Sequence, residues 1–457
     1  MQDLYVIILA AGQGTRMRSH QKPKVLHSIA GKPMLSRVIE TAEQLNPNNI
    51  NVVVGHEKEQ LFEQVHFSVN WVIQDQQLGT GHAVKMALPN IPQEGITLVL
   101  YGDVPLIDET TLKNLINTVG ENEVAILTDL LEDPSGYGRI IRDEKNHVVK
   151  IIEDKDVNSV QRLIKEINTG IYVIPNQYLH QWLNQLNNNN AQQEYYLTDI
   201  IALAHEHNVP VKTVPVSKSY LVMGVNDKVQ LATLERIYQQ EIAKQLMQNG
   251  LMLMDPNRFD LRGELIFGRD VIIDVNVIFE GNSVLGNNIH IGANCVLKNV
   301  TIHDNVIIQP FSHLEDCEVG DSAKIGPYAR LRPKVNLAKE VHIGNFVEVK
   351  NSKIGIGSKV NHLTYVGDTT IGKGSNIGAG TITCNYDGVS KHATIIGDDC
   401  RIGSGTMLVA PVAVGDRATI GAGSVITRNC PENQLTISRS KQISLASWVR
   451  PEKKSQS

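Results

Sequence analysis

Between Leu285 and Gly421 an aliphatic residue followed by glycine keeps returning at six-residue steps. Gly286 and Gly292 are six apart, as are Gly320 and Gly326, Gly372 and Gly378, Gly397 and Gly403, and Gly415 and Gly421. An α-helix repeats near 3.6 residues, so it does not sustain this period. A hexapeptide period marks a parallel β-helix, in which six residues make one flat side of a prism and three sides make a coil of about 18 residues. The aliphatic residue of each repeat points inward, and the glycine relieves crowding near the corner. About nine such coils fit between Gly263 and Cys430 at this repeat length. Register is lost between Gly378 and Gly397, where the stretch Thr381–Gly388 (TITCNYDG) intervenes. That predicts a loop leaving the prism, and excursions from a regular scaffold are where binding sites belong.

The first half follows a different pattern. Tyr5–Ala10, Ile50–Val54, Trp71–Ile73, Ile96–Leu100 and Val124–Leu127 read as short strands, with amphipathic stretches such as Leu35–Leu45 and Thr110–Val119 between them. Such alternation predicts an α/β, Rossmann-like domain with a largely parallel sheet. In Val229–Leu251 the residues Leu231, Leu234, Ile237, Tyr238 and Ile242 recur at three- and four-residue steps, so this stretch reads as a connecting helix ending at Gly250. The expected organisation of the 457 residues is an α/β domain over 1–228, a linker helix over 229–251, and a β-helix with a C-terminal tail over 252–457.

Charge excludes some classes of function. The 43 basic and 48 acidic residues give a net charge of -5, and neither sign forms a long block, which argues against a nucleic-acid or membrane-surface binder. No run approaches the ~18 apolar residues of a membrane span. The opening MQDLYVIILAAG lacks a basic leader and reads as a first strand, so a cytoplasmic location is expected. The five cysteines, Cys295, Cys317, Cys384, Cys400 and Cys430, are odd in number and form no CxxC, so they read as free thiols. His20, His27, His290 and His303 read as surface groups, and the Lys-rich end from Pro451 as a solvated tail.

Two regions carry candidate chemistry. The first is the loop LAAGQGTRM, Leu9–Met17, followed by Lys22-Pro23-Lys24. Gly12 and Gly14 allow main-chain N–H groups to approach phosphates, while Arg16 and Lys24 add charge. The loop fits neither G-x-G-x-x-G nor the P-loop, and a plain tight turn is the competing reading. Downstream, Val99–Pro105 (VLYGDVP) places Asp103 just after a buried strand. There it is either a turn residue or a carboxylate able to hold a divalent cation. The second region lies on the β-helix. Arg330 and Arg332 fall together, Glu348 and Lys350 share one side of a strand, and His362, Tyr365, Asn385, Tyr386 and Lys391 follow. A lone His362 would read as a surface histidine. Clustered with Lys350, Arg332, Tyr365 and Asn385, it reads as a base for acyl transfer to an amine, with cations for a substrate phosphate. Lys350 and His362 are 12 residues apart, hence on different faces of the prism, meeting only at a corner or between subunits.

LAAGQGTRM, KPKVLH, QLGTGHA (Gln77–Ala83), LYGDVPL, GYGRIIR (Gly136–Arg142), INTGIY and EYYLTDI resemble the sugar-1-phosphate nucleotidylyltransferases. Among these, the chain is similar to the bacterial bifunctional N-acetylglucosamine-1-phosphate uridylyltransferase/glucosamine-1-phosphate acetyltransferases, from Ile7 to about Pro451. The stretch between Arg16 and Lys24 is one residue longer than that family's pattern. The resemblance implies that Leu9, Ala10, Gly12, Gly14, Arg16, Gln74, Gly79, Thr80, Tyr101 and Gly102 surround the uridine nucleotide, with Lys24 on its phosphates. It implies Asp103 and Asn226 as ligands of Mg2+, and Gly138, Glu153 and Asn168 as sugar-phosphate contacts. On the β-helix it implies His362 as base with Glu348 orienting it. Arg332, Lys350, Tyr365, Asn376 and Lys391 would bind glucosamine-1-phosphate. Ala379, Asn385, Tyr386, Ser404, Ala422 and Arg439 would face acetyl-CoA. A homotrimer of left-handed β-helices is implied as well. The expected reactions are acetylation of glucosamine-1-phosphate by acetyl-CoA, then uridylyl transfer from UTP to N-acetylglucosamine-1-phosphate. The alternative is a nucleotidylyltransferase whose β-helix is only a scaffold, a role for which His362, Lys350 and Asn385 would be unnecessary.

Overall fold

The computed structural model describes residues 2–12, 14–19, 22–55, 58–120 and 122–451, so His20 and the end of the tail lie outside it. Two compact units divide the chain, Met1–Glu241 and Ile242–Ser457. The division falls within a helix, Lys228–Gln248, rather than at either end of it.

In chain order the first unit comprises β1 (Leu4–Leu9), a hairpin of β2 (Ser28–Ile29) and β3 (Lys32–Pro33), α1 (Met34–Glu43), β4 (Asn49–Val54), α2 (Lys58–Gln64) and β5 (Asn70–Ile73). Then come α3 (Thr80–Ala87), β6 (Ile96–Tyr101), α4 (Glu109–Thr118), β7 (Val124–Leu130), β8 (Gly138–Arg142), β9 (Val148–Ile152) and β10 (Glu166–Pro175). The unit continues with α5 (Asn176–Leu183), α6 (Ile200–Glu206) and β11 (Val211–Pro215), and α7 (Lys228–Gln248) begins in it. The sheet order is β11-β7-β10-β6-β1-β4-β5, with β8 on β10 and β9 on β8.

Period-two alternation in β1 splits its side chains between two cores. Val6 and Ile8 join α1, α2 and α4 on one face, while Tyr5, Ile7 and Leu9 join α3, α5 and α6 on the other. Both faces are covered, so the strand reads as an unbroken apolar run. Each fully buried aliphatic side chain stabilises the fold by about 1.5–3 kcal/mol relative to exposure.

The strands β6, β1, β4 and β5 are mutually parallel, as are β7 and β11, so the expected largely parallel sheet is interrupted at β10 and at the β8–β9 hairpin. β10 runs antiparallel to both β6 and β7, and β8 and β9 form an antiparallel hairpin. The tight connection explains the hairpin: Asp143 accepts from the backbone N–H groups of Lys145 and His147, leaving no room for a crossover helix.

The helix α7 ends where the glycine predicted. The N–H of Gly250 bonds to the carbonyl of Met247 and that of Leu251 to Leu246, a pattern that satisfies terminal carbonyls. Leu246 and Leu251 are both buried in the second unit's core.

The second unit is a parallel β-helix, consistent with the expected left-handed form. One sheet has eleven strands, of which two (Met252–Leu253 and Leu435–Thr436) lie outside Gly263–Cys430, leaving nine in the interval. Its inner column runs Ile273, Ile291, Ile308, Ile325, Ile343, Val360, Ile377, Ile402 and Ile420, all in one core. Coils are less uniform than the expected 18: Ile273 pairs with Ile291, but Ile291 pairs with Ile308 and Ile343 with Val360, at 17. Six of these nine are followed by glycine, and the reason is contact. A Cβ on Gly344 would stand 1.9 Å from the Asn361 carbonyl oxygen of the next coil.

Ile377 pairs with Ile402 at 25 residues, which locates the excursion. It starts later than the broken register suggested. Ile382–Cys384 is still a wall strand, paired with Met407–Val409, and the chain leaves at Asn385 and returns by Thr394. A bridge between Tyr386 and Lys391 closes the loop. All five cysteines are free, four of them buried.

Candidate active sites

The first site lies at the carboxyl ends of neighbouring parallel strands, where β1 and β6 pair Leu9 with Tyr101 and the N–H of Gly102 bonds to the Leu9 carbonyl. Brought together there is a cavity of about 450 Å³ lined by Leu9, Ala10, Gly12, Lys24, Gln74, Gly79, Thr80, Tyr101 and Asp103, among others. A second cavity of about 280 Å³ is lined by Gly138, Glu153 and Asn168, and it shares Thr80, Tyr101 and Glu194 with the first. The two are therefore neighbours, with Thr80, Tyr101 and Glu194 on the border between them.

Lys24 Nζ contacts Asp103 Oδ2 and lies 3.3 Å from Asn226 Oδ1, while Arg16 Nη2 donates to the same Asn226 oxygen at 2.8 Å. A backbone bond from Val225 N–H to the Asp103 carbonyl holds the two segments together. Gly14 adjoins Lys24: a Cβ there would sit 2.7 Å from Lys24 Cβ, so a larger residue would push the lysine away. At Gly12 no atom beyond its chain neighbours lies within 4 Å of where a Cβ would be, so the backbone there faces open space. The oxygens of Asp103 and Asn226 converge on one cation, the lysine ammonium. A carboxylate and an amide oxygen are the hard donors a Mg2+ ion takes in small number, so the residues fit such a group. Among the described residues no three His, Cys, Asp or Glu side chains cluster as a metal cage.

In the smaller cavity Glu153 accepts from Thr198 Oγ1 at 3.0 Å. Burial pushes its carboxyl above the usual range, and Asp199, Asp156 and Asp154 push the same way against the Thr198 bond. Burial likewise raises the Tyr101 phenol, which stays neutral. Asn168 is fixed by a bond from its Nδ2 to Tyr172 Oη at 2.7 Å. Glu194, Tyr196 and Thr198 escaped assignment, although the EYYLTDI stretch containing them stood out.

On the β-helix the polar residues fall into two groups. The first lies on one wall. Arg332 Nη1 donates to Glu348 Oε1 at 2.9 Å, and Arg330 approaches the same carboxylate at 3.8 Å. Glu348 pairs in register with Tyr365, and Lys350 with Gly367. Tyr365 and Asn385 both crowd Gly367, where a Cβ would meet the tyrosine hydroxyl and the Asn385 Nδ2. Asn385, at the foot of the excursion, is buried and donates to Asp368 Oδ2. Lys350 meets Lys391, and that contact, together with burial and Arg332, holds its ammonium below the ordinary range. Arg332, Lys350 and Lys391 outnumber the two carboxylates beside them, Glu348 and Asp368, and such an excess of cations suits a phosphate.

The second group runs along one corner. The N–H of Gly380 bonds to the His362 carbonyl, that of Gly405 to Ala379, and that of Gly423 to Ser404. His362, Ala379, Ser404 and Ala422 are therefore a single column, one residue per coil. Arg439 Nη1 reaches the Ala422 carbonyl at its far end, at 2.5 Å. Asn376 belongs to the strand beside that of His362. Tyr386 is exposed on the excursion, its hydroxyl donating to the Gly388 carbonyl.

Within one chain Glu348 bonds Arg332 rather than His362, and the His362 Nδ1 pairs with Asn345 Oδ1 at 2.9 Å; among the described residues nothing bonds Nε2. Asn345 and Asp368 were missed, yet each stands 17 residues before its partner, the coil spacing itself. His27 is also no plain surface group, since its Nε2 is buried without a hydrogen-bond partner and burial lowers its pKa. No helix among the described residues is long and apolar enough to cross a membrane.

Residues 6–166 match the MobA-like NTP transferase domain family and residues 314–414 the GMPPB C-terminal domain family. Full-length relatives are closer. The chain is 59% identical over 453 residues to a protein of Neisseria meningitidis serogroup A called bifunctional protein GlmU, covering 99% of both chains. It is 57% identical to one of that name from Nitrosomonas eutropha, again over 99% of each chain, and 56% to one from Acinetobacter baylyi, over 98% of each. With both units matched end to end at this identity, the chain belongs to the GlmU family of bifunctional proteins.

Proposed function

We propose that the two activities of this bifunctional enzyme are divided between its units, acetyl transfer to glucosamine-1-phosphate on the β-helix and uridylyl transfer to N-acetylglucosamine-1-phosphate in the α/β unit. The observation that carries the reading is the corner column on the β-helix. An extended thioester such as acetyl-CoA can lie along Ala379, Ser404 and Ala422, with Asn385, Tyr386 and Arg439 nearby, and its acetyl end then comes to His362. A scaffold would need neither a histidine at one end of this column nor an arginine bonded to the other.

In the first reaction His362 Nε2 takes the proton of the attacking amine, while Asn345 holds the ring through Nδ1. Arg332, Lys350 and Lys391 hold the phosphate of glucosamine-1-phosphate, with Tyr365 and Asn376 on the sugar. Within one chain this cationic wall and the His362 corner belong to different sheets, which favours a homotrimer in which a second copy completes each site.

In the second reaction the nucleophile is already a phosphate anion and requires no base. Lys24 and Arg16 hold the triphosphate of UTP, and Gly138, Glu153 and Asn168 hold the sugar phosphate for in-line attack. Asp103 and Asn226 would hold Mg2+, which when bound supplies charge neutralisation at the phosphates. A cytoplasmic setting suits these substrates.

The test is a product assay with glucosamine-1-phosphate, acetyl-CoA, UTP and Mg2+ on wild type, Asp103→Ala and His362→Ala. Asp103→Ala should stop at N-acetylglucosamine-1-phosphate, and His362→Ala should leave the amine unacetylated. If wild type and Asp103→Ala never consume acetyl-CoA, the β-helix is a scaffold.

A further inference from the structure

We infer that His82 sets which nucleobase the α/β unit accepts, by holding the Gln74 carboxamide in the one orientation that presents an acceptor to a base carrying an N3–H. The inference rests on reading the larger cavity as the nucleotide site.

Gln74 follows β5, lines that cavity and is only 2% exposed. Its Nε2 donates to the Gly79 carbonyl at 3.2 Å and lies 3.0 Å from His82 Nδ1. A carbonyl can only accept, so the atom facing Gly79 is the NH2 group, and a flipped amide would set two oxygens against each other. Nδ1 of His82 is then an acceptor, which requires the neutral imidazole with its proton on Nε2. Both NH2 protons are committed to the protein, and Oε1 is the group that remains. No described residue hydrogen-bonds it.

Uracil and thymine offer an N–H at the centre of their pairing edge, whereas cytosine offers a lone pair there. Oε1 answers the first and repels the second, and the fixed amide cannot turn to compensate. The environment of His82 supports the neutral ring. Burial and Lys85 lower its pKa, with a hydrogen bond to the Gln76 backbone opposing them, and the Tyr195 ring stands 6.5 Å away. An imidazolium would turn Nδ1 into a donor and set it against the Gln74 NH2.

The test compares UTP and CTP as substrates for wild type, His82→Leu, His82→Asn and Gln74→Ala. His82→Leu should weaken UTP use about 10-fold, mainly through KM, and narrow the UTP:CTP preference by roughly 100-fold. His82→Asn, whose side-chain oxygen can accept the same bond, should keep the preference within about 3-fold of wild type. Acidifying wild type through the His82 titration should likewise raise KM for UTP and erode the preference; this series stands even where a variant folds poorly. A preference that is unchanged in His82→Leu, or a loss equal for both nucleotides, would overturn the inference while leaving the nucleotide site in place. If Gln74→Ala alters neither KM, the base does not bind in this cavity, and the site reading falls with the inference.

Discussion

Replacing Asn345 by alanine removes the bond that aims the proposed acetyl-transfer base. Asn345 and His362 are register partners on adjacent coils, joined at 2.9 Å. A ring that acts as a base begins the step neutral, and a neutral hydrogen bond contributes about 0.5–1.5 kcal/mol net. As His362 takes the amine proton the ring becomes cationic, and the same bond strengthens to about 1.5–3 kcal/mol. Only this difference, about 1–1.5 kcal/mol, enters kcat. Asn345→Ala should therefore slow acetyl transfer roughly 5- to 12-fold, against the 10²–10⁴ lost on removing the base altogether. Thiol release from acetyl-CoA in single turnovers measures the step directly, with uridylyl transfer by the same preparation as the control. The double variant Asn345→Ala/His362→Ala should be no slower than His362→Ala, since the two act as a unit. Acetyl transfer within 2-fold of wild type in Asn345→Ala, or additive losses in the double variant, would refute the argument.

Three other outcomes follow from the geometry. Asp103→Asn should abolish uridylyl transfer and weaken Mn2+ binding measured by electron paramagnetic resonance, with acetyl transfer intact. Glu153 has its pKa raised by burial, so the folded state keeps a proton that the unfolded chain releases. Wild-type stability should thus fall relative to Glu153→Gln as pH rises through and above the ordinary glutamate range, read as a widening gap in Tm. Ile343→Ala empties a fully buried position in the inner column and should cost about 2–5 kcal/mol in urea denaturation of the β-helix.

The β-helix was legible in the sequence because its period is local: an inward aliphatic residue, often followed by glycine, returns at six-residue steps, whatever lies on the next coil. The loop after β1 was legible for a similar reason, since a strand, two glycines and two cations fall in one short stretch. Which side chains meet was another matter. A coil of 17 or 18 residues shifts the stacking by one position, and an offset of one decides whether His362 faces Asn345 or another residue. Glu348, close to His362 in sequence, instead belongs to Arg332 on another wall. The antiparallel course of β10 was equally hidden, because apolar alternation records that a strand is buried and not the direction of its neighbours. The sequence by itself determined the architecture and much of the chemical inventory of both candidate sites. Tertiary structure alone decided the pairings within them, because contacts between coils and between strands are set by register, which local patterns do not encode.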